Sequence, residues 1–150
     1  MYVYSDQGGV YRTTKQASEL LIENYAKLFG LDFTILRFGS LYGRRSDPSN
    51  SIYSIIHQAL TEGRIQRKGD GEEIRDYIHV DDAARASVEI LDMAFQNDYV
   101  ILTGSQTIKA KDLLRMIREM FNNQVDIEYL DDRIEEHYEI TPYVFRPRVA

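Results

Sequence analysis

The residues that most directly suggest chemistry are a tyrosine and a lysine four positions apart, Tyr11 and Lys15. In a helix, residues with this spacing lie one above the other on the same face. An ammonium held beside a phenol favours the phenolate form. A tyrosine tuned in this way can exchange a proton with a substrate hydroxyl near neutral pH. The pair alone does not exclude an ordinary exposed tyrosine and lysine, because the chain contains 11 Tyr.

The helix that must position this pair is predicted over residues 11–29. One face of this helix is mainly apolar, and its residues, at spacings of three and four, are Ala17, Leu20, Leu21, Asn24, Tyr25 and Leu28. This is the period of an amphipathic helix. Gly30 follows the last residue of the stripe, where a glycine commonly ends a helix.

A second stretch, residues 36–43, reads as a strand that runs into a glycine-containing loop. In α/β folds, ligands bind in the crevice at the carboxyl ends of the strands. The hydroxyl groups of Ser40 and Tyr42 are expected at that position. An alternative is equally well supported, since the loop could contain Gly39 and Gly43 only for their backbone freedom.

The most informative stretch is residues 69–82, which combines a Gly-Asp-Gly turn with a strand and the start of a helix. On the strand, Arg75, Tyr77 and His79 share one face. We expect the guanidinium of Arg75 to point at a ligand phosphate, because its planar fork suits bidentate contact with phosphate. The alternative is a surface ion pair with a nearby aspartate. Asp81 is predicted to cap the following helix.

The remaining elements alternate between strands and helices, which predicts an α/β chain. The further strands are expected at residues 32–38, 64–68, 99–102 and 125–130. Further helices are expected at residues 52–62, from residue 81 onward with a core stripe of Ala84, Val88, Leu91 and Phe95, and at residues 113–121.

Composition excludes several classes of protein. The formal net charge of −6 argues against general nucleic-acid binding. No apolar run approaches the roughly 20 residues needed to cross a bilayer, so no membrane partner is expected. The chain contains no Cys, which excludes disulfides and cysteine zinc sites and is compatible with a cytoplasmic location. The three His show no metal-binding spacing, and no metal is predicted.

Three motifs occur in order: Tyr-x-x-x-Lys, Leu-Arg-Phe-Gly-x-x-Tyr-Gly, and Gly-Asp-Gly-x-x-x-Arg-Asp-Tyr-Ile-His-Val-Asp-Asp. Together they resemble the later part of the extended short-chain dehydrogenase/reductase family, and within it the NAD-dependent nucleotide-sugar epimerases and dehydratases. The resemblance implies a remnant of a Rossmann-like doubly wound sheet over residues 1–45, with the Tyr/Lys helix and one strand. It implies a smaller α/β substrate-binding region over residues 46–150, with the two segments interleaved.

The resemblance also implies roles for individual residues. Tyr11 would exchange the proton, and Lys15 would assist it and hold the nicotinamide ribose, with Ser40 also near the cofactor. The residues implied for the nucleotide-sugar substrate are Tyr42, Asn50, Gln66, Arg75 and, for a second diphosphate contact, Arg146. The complete enzyme would use NAD or NADP, and we expect a homo-oligomer. Two departures from the family pattern are Arg44, where proline is usual, and Thr103-Gly104, where an asparagine loop is usual.

A glycine fingerprint for dinucleotide binding is absent from the sequence, which has no G-x-G-x-x-G. We therefore expect the chain to be the C-terminal portion of such an enzyme, unable by itself to bind NAD or turn over substrate and prone to self-association. The alternatives are a non-catalytic module that binds a nucleotide sugar or a partner chain, and a reductase acting on a substrate that is not a sugar nucleotide.

Overall fold

A computed structural model describes residues 9–130 of the chain. Its helices are α1 (Gly9–Phe29), α2 (Ser51–Glu62), α3 (Val80–Glu89) and α4 (Ala110–Met120), with a 3₁₀ turn at Met93–Phe95. Its strands are β1 (Thr34–Phe38), β2 (Ser40–Tyr42), β3 (Arg64–Lys68), β4 (Ile74–His79), β5 (Asp98–Leu102), β6 (Thr107–Lys109) and β7 (Asp126–Leu130). The predicted alternation of helices and strands is confirmed. The sequence does not predict the two three-residue strands β2 and β6, and the helix expected to reach Phe95 ends at Glu89, before the 3₁₀ turn.

The strands form three small sheets. β1 pairs with β5, and β3 pairs with β7, in both cases parallel. In the third sheet, β4 lies between β2, to which it is parallel, and β6, to which it is antiparallel. A parallel pair requires a long crossover, so both two-stranded sheets join segments that are distant in sequence.

The chain passes from the first sheet to the second at Gly39, between β1 and β2. The amide of Gly39 donates to the carbonyl of Leu102 at 2.9 Å. A Cβ at residue 39 would lie 2.8 Å from the carbonyl oxygen of Asp76, closer than real side chains come. Glycine is therefore needed here because another strand's backbone passes against it.

The main core lies between α2, α4 and the β3–β7 sheet. Its buried residues are Ile55, Ala59, Ile65, Leu114, Ile117 and Val125. Ile65 and Leu114 are completely inaccessible to solvent. Apolar burial of this kind is the dominant stabilising contribution to a fold, so this cluster fixes the positions of β3 and β7.

Helix α1 packs on the first sheet through its polar face. Arg37 Nε on β1 donates to Glu19 Oε1 at 2.8 Å, and the hydroxyl of Tyr99 on β5 donates to Glu23. The apolar stripe predicted from the sequence exists, but it faces outward, and none of the α1 residues is buried. Gly30 adopts a positive φ of 64°, as expected for a glycine that ends a helix.

The predictions for α3 need correction. His79, not Asp81, caps the helix, because His79 Nδ1 accepts a hydrogen bond from the Asp81 amide at 3.2 Å. The predicted core stripe is also wrong: Val88 and Leu91 are 68% and 82% exposed. The buried residues are Ala83 and Ile90, since a helix that starts at Val80 and ends at Glu89 turns a different face to β4.

Within residues 9–130, no helix combines the length and the apolar character that crossing a membrane requires.

Candidate functional site

The tyrosine–lysine pair is brought together on α1. Lys15 Nζ lies 5.4 Å from the centroid of the Tyr11 ring, a distance typical of a cation–π contact. The Tyr11 side chain is 73% exposed, so its hydroxyl is accessible from solvent. The spacing argument for a shared face is therefore confirmed, and the phenol and the ammonium present themselves to the same spot.

Ser40 and Tyr42 lie on β2, next to β4. The register pairs Ser40 with Tyr77 and Tyr42 with His79. The Tyr42 and His79 rings meet edge to face with centroids 5.3 Å apart, a favoured geometry for aromatic pairs. Since Tyr42 is still 38% exposed, it can contact both this histidine and a ligand.

The loop after β2 depends on Gly43. This residue has a φ of 139°, and a Cβ there would lie 2.5 Å from Cγ1 of Val80. The backbone conformation and the lack of space for a side chain therefore explain why residue 43 is a glycine, without a contact to a ligand. Beyond it, Arg44, the arginine that departs from the family pattern, is exposed. Its guanidinium pairs with the carboxylate of Asp81, in the first turn of α3, at 3.1 Å.

Asn50 performs a structural task in this structure. Its Oδ1 accepts from the Tyr53 amide at 3.1 Å and caps α2. Its Nδ2 donates to the carbonyl of Leu41 at 2.7 Å, which ties the helix start to β2. The oxygen and the nitrogen of the Asn50 side-chain amide thus each make a hydrogen bond. A ligand that contacts Asn50 would either use a remaining hydrogen-bonding position of the amide or replace one of these two bonds.

Gln66 lies on β3, in a different sheet from Ser40 and Tyr42. Its side chain donates to Glu128 on β7 at 2.8 Å, and its backbone amide donates to Gln58 at 2.9 Å. The structure therefore does not join Gln66 directly to the β2–β4 residues.

Arg75 lies near the start of β4 and is half-buried. Its Nη1 donates to the carbonyl of Ile74 at 3.0 Å, and its backbone lies opposite Ile108 of β6. Tyr77 follows on the same face. Burial raises the pKa of Tyr77, while the charges of Arg67 and Arg75 act in the opposite direction. This face of β4 therefore lies close to two guanidinium groups.

The turn before β4 is held by Glu72. Hydrogen bonds from Lys109 and Lys111 lower the pKa of this carboxyl to about 2. The Lys109 bond measures 2.8 Å. These contacts attach the turn to β6 and the start of α4, and they fix where β4 begins.

Sequence reasoning missed Arg67 on β3. It shares a face with the buried Ile65 and forms an ion pair with Glu73. The sequence does contain one indication of its burial. Arg67 stands two positions after Ile65 in a predicted strand, on the same face, where an apolar residue would be expected.

The predicted site residues within residues 9–130 thus fall on four parts of the fold: α1, the β2–β4 sheet, the start of α2 and β3. Arg146 lies outside the described residues. Among residues 9–130, no group of three His, Asp or Glu side chains is arranged to hold a metal ion.

Comparison with known proteins extends these observations. Residues 4–101 match the family described as the NAD dependent epimerase/dehydratase family. A UDP-glucuronate 4-epimerase of Thermodesulfobacterium geofontis is 29% identical over 121 residues, which cover 81% of this chain and 38% of the relative. A dTDP-glucose 4,6-dehydratase of Mycobacterium tuberculosis is 28% identical over 135 residues, covering 88% of this chain and 41% of the relative.

A solved structure shows the same likeness in three dimensions. It is a UDP-glucuronic acid 4-epimerase from Bacillus cereus in complex with UDP-glucuronic acid and NAD. It superposes with a TM-score of 0.79 at 25% identity, over 87% of this chain and 42% of that one.

The chain spans about two fifths of the length of these relatives. The likeness confirms the predicted Rossmann-like α/β fold class, and the relatives act on nucleotide sugars. Because the profile match covers well over half of its residues, this chain belongs to the NAD-dependent epimerase/dehydratase family.

Proposed function

We propose that this chain supplies the proton-exchanging residues and the substrate-binding region of an NAD-dependent nucleotide-sugar epimerase or dehydratase. The observation that carries the proposal is the placement of Lys15 Nζ beside the Tyr11 ring on one accessible helix face. The order of the three motifs supports it, and the second motif, at residues 36–43, follows the carboxyl end of β1, where ligands bind in α/β enzymes.

In this proposal Tyr11 acts as the acid and base. Its phenolate accepts the proton of a sugar hydroxyl as the carbon that bears the hydroxyl is oxidised to a ketone, and returns it when that carbon is reduced. Lys15 stabilises the phenolate by its positive charge. A positioned general base of this kind contributes roughly 10²–10⁴-fold to a rate.

The cofactor fits the same helix face. Lys15 offers ammonium hydrogen-bond donors next to Tyr11, and these suit ribose hydroxyls. We propose that Tyr11, Lys15 and Ser40 contact NAD or NADP in the complete enzyme. The cofactor, when bound, supplies hydride acceptance and return, and the chain supplies the positioning and the proton.

Substrate binding is assigned to the β2–β4 sheet and its neighbours. Arg75 binds the diphosphate, and Tyr42 contributes a hydroxyl from the adjacent strand. Asn50 and Gln66 line the nucleotide side, and Arg146 supplies a second diphosphate contact. We also propose that the protein is cytoplasmic and forms a homo-oligomer. Light scattering on the full-length protein can test the oligomeric state.

Replacement of Arg75 by alanine is expected to weaken nucleotide-sugar binding by about 1.5–3 kcal/mol, the scale of hydrogen bonds to a charged group. Calorimetry with UDP- and dTDP-sugars on the full-length protein measures this loss. Arg75→Lys should recover only part of it, because lysine keeps the charge and loses the planar fork.

The matched control is Arg85→Ala on α3. Arg85 is a surface arginine that pairs with Asp82 at 3.3 Å, with its side chain 69% exposed, and it belongs to no predicted site. Its loss should leave binding unchanged. Equal affinities in wild type, Arg75→Ala and Arg85→Ala would remove Arg75 from the site.

A polypeptide of residues 1–150 alone is expected to show no NAD binding in the micromolar range and no turnover. Its sequence contains no G-x-G-x-x-G turn, and such a turn followed by a helix N-terminus is what binds pyrophosphate in these folds. The apolar stripe of α1 is exposed, with Leu28 at 75%, so this polypeptide should also self-associate.

Titration with NAD and light scattering test both parts of that expectation. Micromolar NAD binding by a monomer would contradict it. A full-length protein that binds a nucleotide sugar without converting it would instead favour the second candidate, a non-catalytic nucleotide-sugar-binding module.

A further inference from the structure

Arg67 is an unusual residue for its position. It lies on β3 with its side chain on the same face as Ile65, which is completely buried. Across the sheet its backbone is paired with Tyr129 of β7. Arginine is rarely buried unless its charge is matched, so the surroundings of this guanidinium need an explanation.

Those surroundings compensate its charge only in part. One terminal nitrogen of Arg67 pairs with Glu73 in the turn before β4, and both side chains are largely shielded from solvent, at 24% and 18% exposure. The Nε of Arg67 is buried and has no hydrogen-bond partner among the described residues. An unsatisfied buried donor on a charged group is costly.

A second guanidinium, that of Arg75, belongs to the same region. Burial lowers the pKa of Arg67, and the positive charge of Arg75 lowers it further, against the opposing influence of Tyr77 and Tyr129. The ion pair also brings the Arg67 side chain to Glu73, only two positions before Arg75, so both guanidiniums belong to one partly desolvated part of the fold around the start of β4. In such surroundings, an anion between two cations gains far more than it would in water.

We propose that Arg67 is a second diphosphate-binding guanidinium in the described part of the chain, acting together with Arg75 on the nucleotide sugar. The proposal rests on the proposed function. Arg75 approaches from β4 and Arg67 from β3, so the ligand's diphosphate links the two sheets. Without ligand, Glu73 holds part of the Arg67 charge. With ligand, the diphosphate adds acceptors at the part of the Arg67 side chain that stays exposed beside Glu73.

A purely structural role for Arg67 makes a different prediction. If Arg67 only neutralises Glu73, then the double variant Arg67→Gln/Glu73→Gln, which removes both charges, should bind as wild type does. If Arg67 binds the diphosphate, Glu73→Gln removes a competing acceptor and leaves the guanidinium available. Affinity should then be kept or increased in Glu73→Gln, while it falls in Arg67→Gln.

The experiment is calorimetric titration of the full-length protein with UDP and dTDP, and with UMP and dTMP as monophosphate probes. Arg67→Gln should weaken diphosphate binding by about 10-fold or more, the scale of one charge-assisted contact. Monophosphate binding should weaken much less, because one phosphate does not span two guanidiniums. The diphosphate affinity of Arg67→Lys should lie between that of the wild type and that of Arg67→Gln. Arg64→Gln, an exposed arginine on the same strand that pairs with Glu62 at 3.5 Å, is the control and should bind as wild type does.

The double variant Arg67→Gln/Glu73→Gln guards against a folding defect, because it leaves no unpaired charge in this region. It should show the same loss of diphosphate affinity as Arg67→Gln. Recovery of wild-type affinity in the double variant, or equal behaviour of Arg67→Gln and Glu73→Gln, overturns the assignment of Arg67. If Arg75→Ala weakens binding and Arg67→Gln does not, this inference fails while the proposed function stands. If the wild type binds neither UDP nor dTDP, both fail.

Discussion

Replacement of Tyr11 by phenylalanine in the full-length protein should lower turnover by about 10²–10⁴-fold, the contribution typical of a general acid–base group. The change removes one hydroxyl from an exposed side chain on a helix with no buried residues, so the fold should be unaffected. Nucleotide-sugar affinity should change little, because the proton is transferred in the reaction and not in binding. Steady-state kinetics should therefore show a fall in kcat with a nearly constant KM.

Tyr25→Phe is the matched control for that experiment. Tyr25 lies on the same helix, is 57% exposed, and has a ring 5.4 Å from that of Phe29, but it has no lysine at the spacing of Lys15. It should turn over substrate as wild type does. Near-normal turnover in Tyr11→Phe, or an equal loss in both variants, would refute the catalytic assignment of Tyr11.

Much of the fold could be predicted because local signals and packing agree. The strand over residues 64–68 has the predicted bounds, and the turn after it contains Gly69 and Gly71 at φ values of 79° and 74°. Glycine adopts positive φ more readily than any other residue, so a glycine in the sequence indicates such turns without knowledge of the tertiary contacts. Gly63, with a φ of 65°, ends α2 for the same reason.

The missed elements depend on distant partners. β2 and β6 have three residues each, too few for an alternating pattern, and both exist because they pair with β4. The error in α3 has a related cause. Its start depends on the His79 ring accepting the Asp81 amide, whereas sequence preference favours aspartate as the cap.

The site could be predicted only where both partners lie on one element. Tyr11 and Lys15 are related by helix geometry alone, which is why their proximity followed from the sequence. Arg67 and Glu73 lie on opposite sides of a turn and meet only after β3 and β4 are in place. No local sequence pattern indicates that the charge of Arg67 is neutralised by Glu73. The partial burial of Arg67 therefore cannot be predicted from the sequence.

Truncation of Leu114 to alanine is expected to lower the free energy of unfolding by about 2–5 kcal/mol, the range for deleting a fully buried leucine side chain. Leu114 is 0% exposed and lies on α4 in the cluster with Ile65 of β3 and Val125. Its loss leaves a cavity under the strand that carries Gln66 and Arg67. Thermal or urea unfolding of the purified protein, followed by circular dichroism, measures the change.

Met120→Ala separates the effect of burial from that of helix propensity. Met120 is on the same helix but is 74% exposed, and methionine and alanine are both good helix formers. Its replacement should change the unfolding free energy by less than about 0.5 kcal/mol, as surface substitutions usually do. If Leu114→Ala proved as mild as Met120→Ala, the packing of α4 against β3 would be refuted. The cluster would then not be what fixes the position of β3.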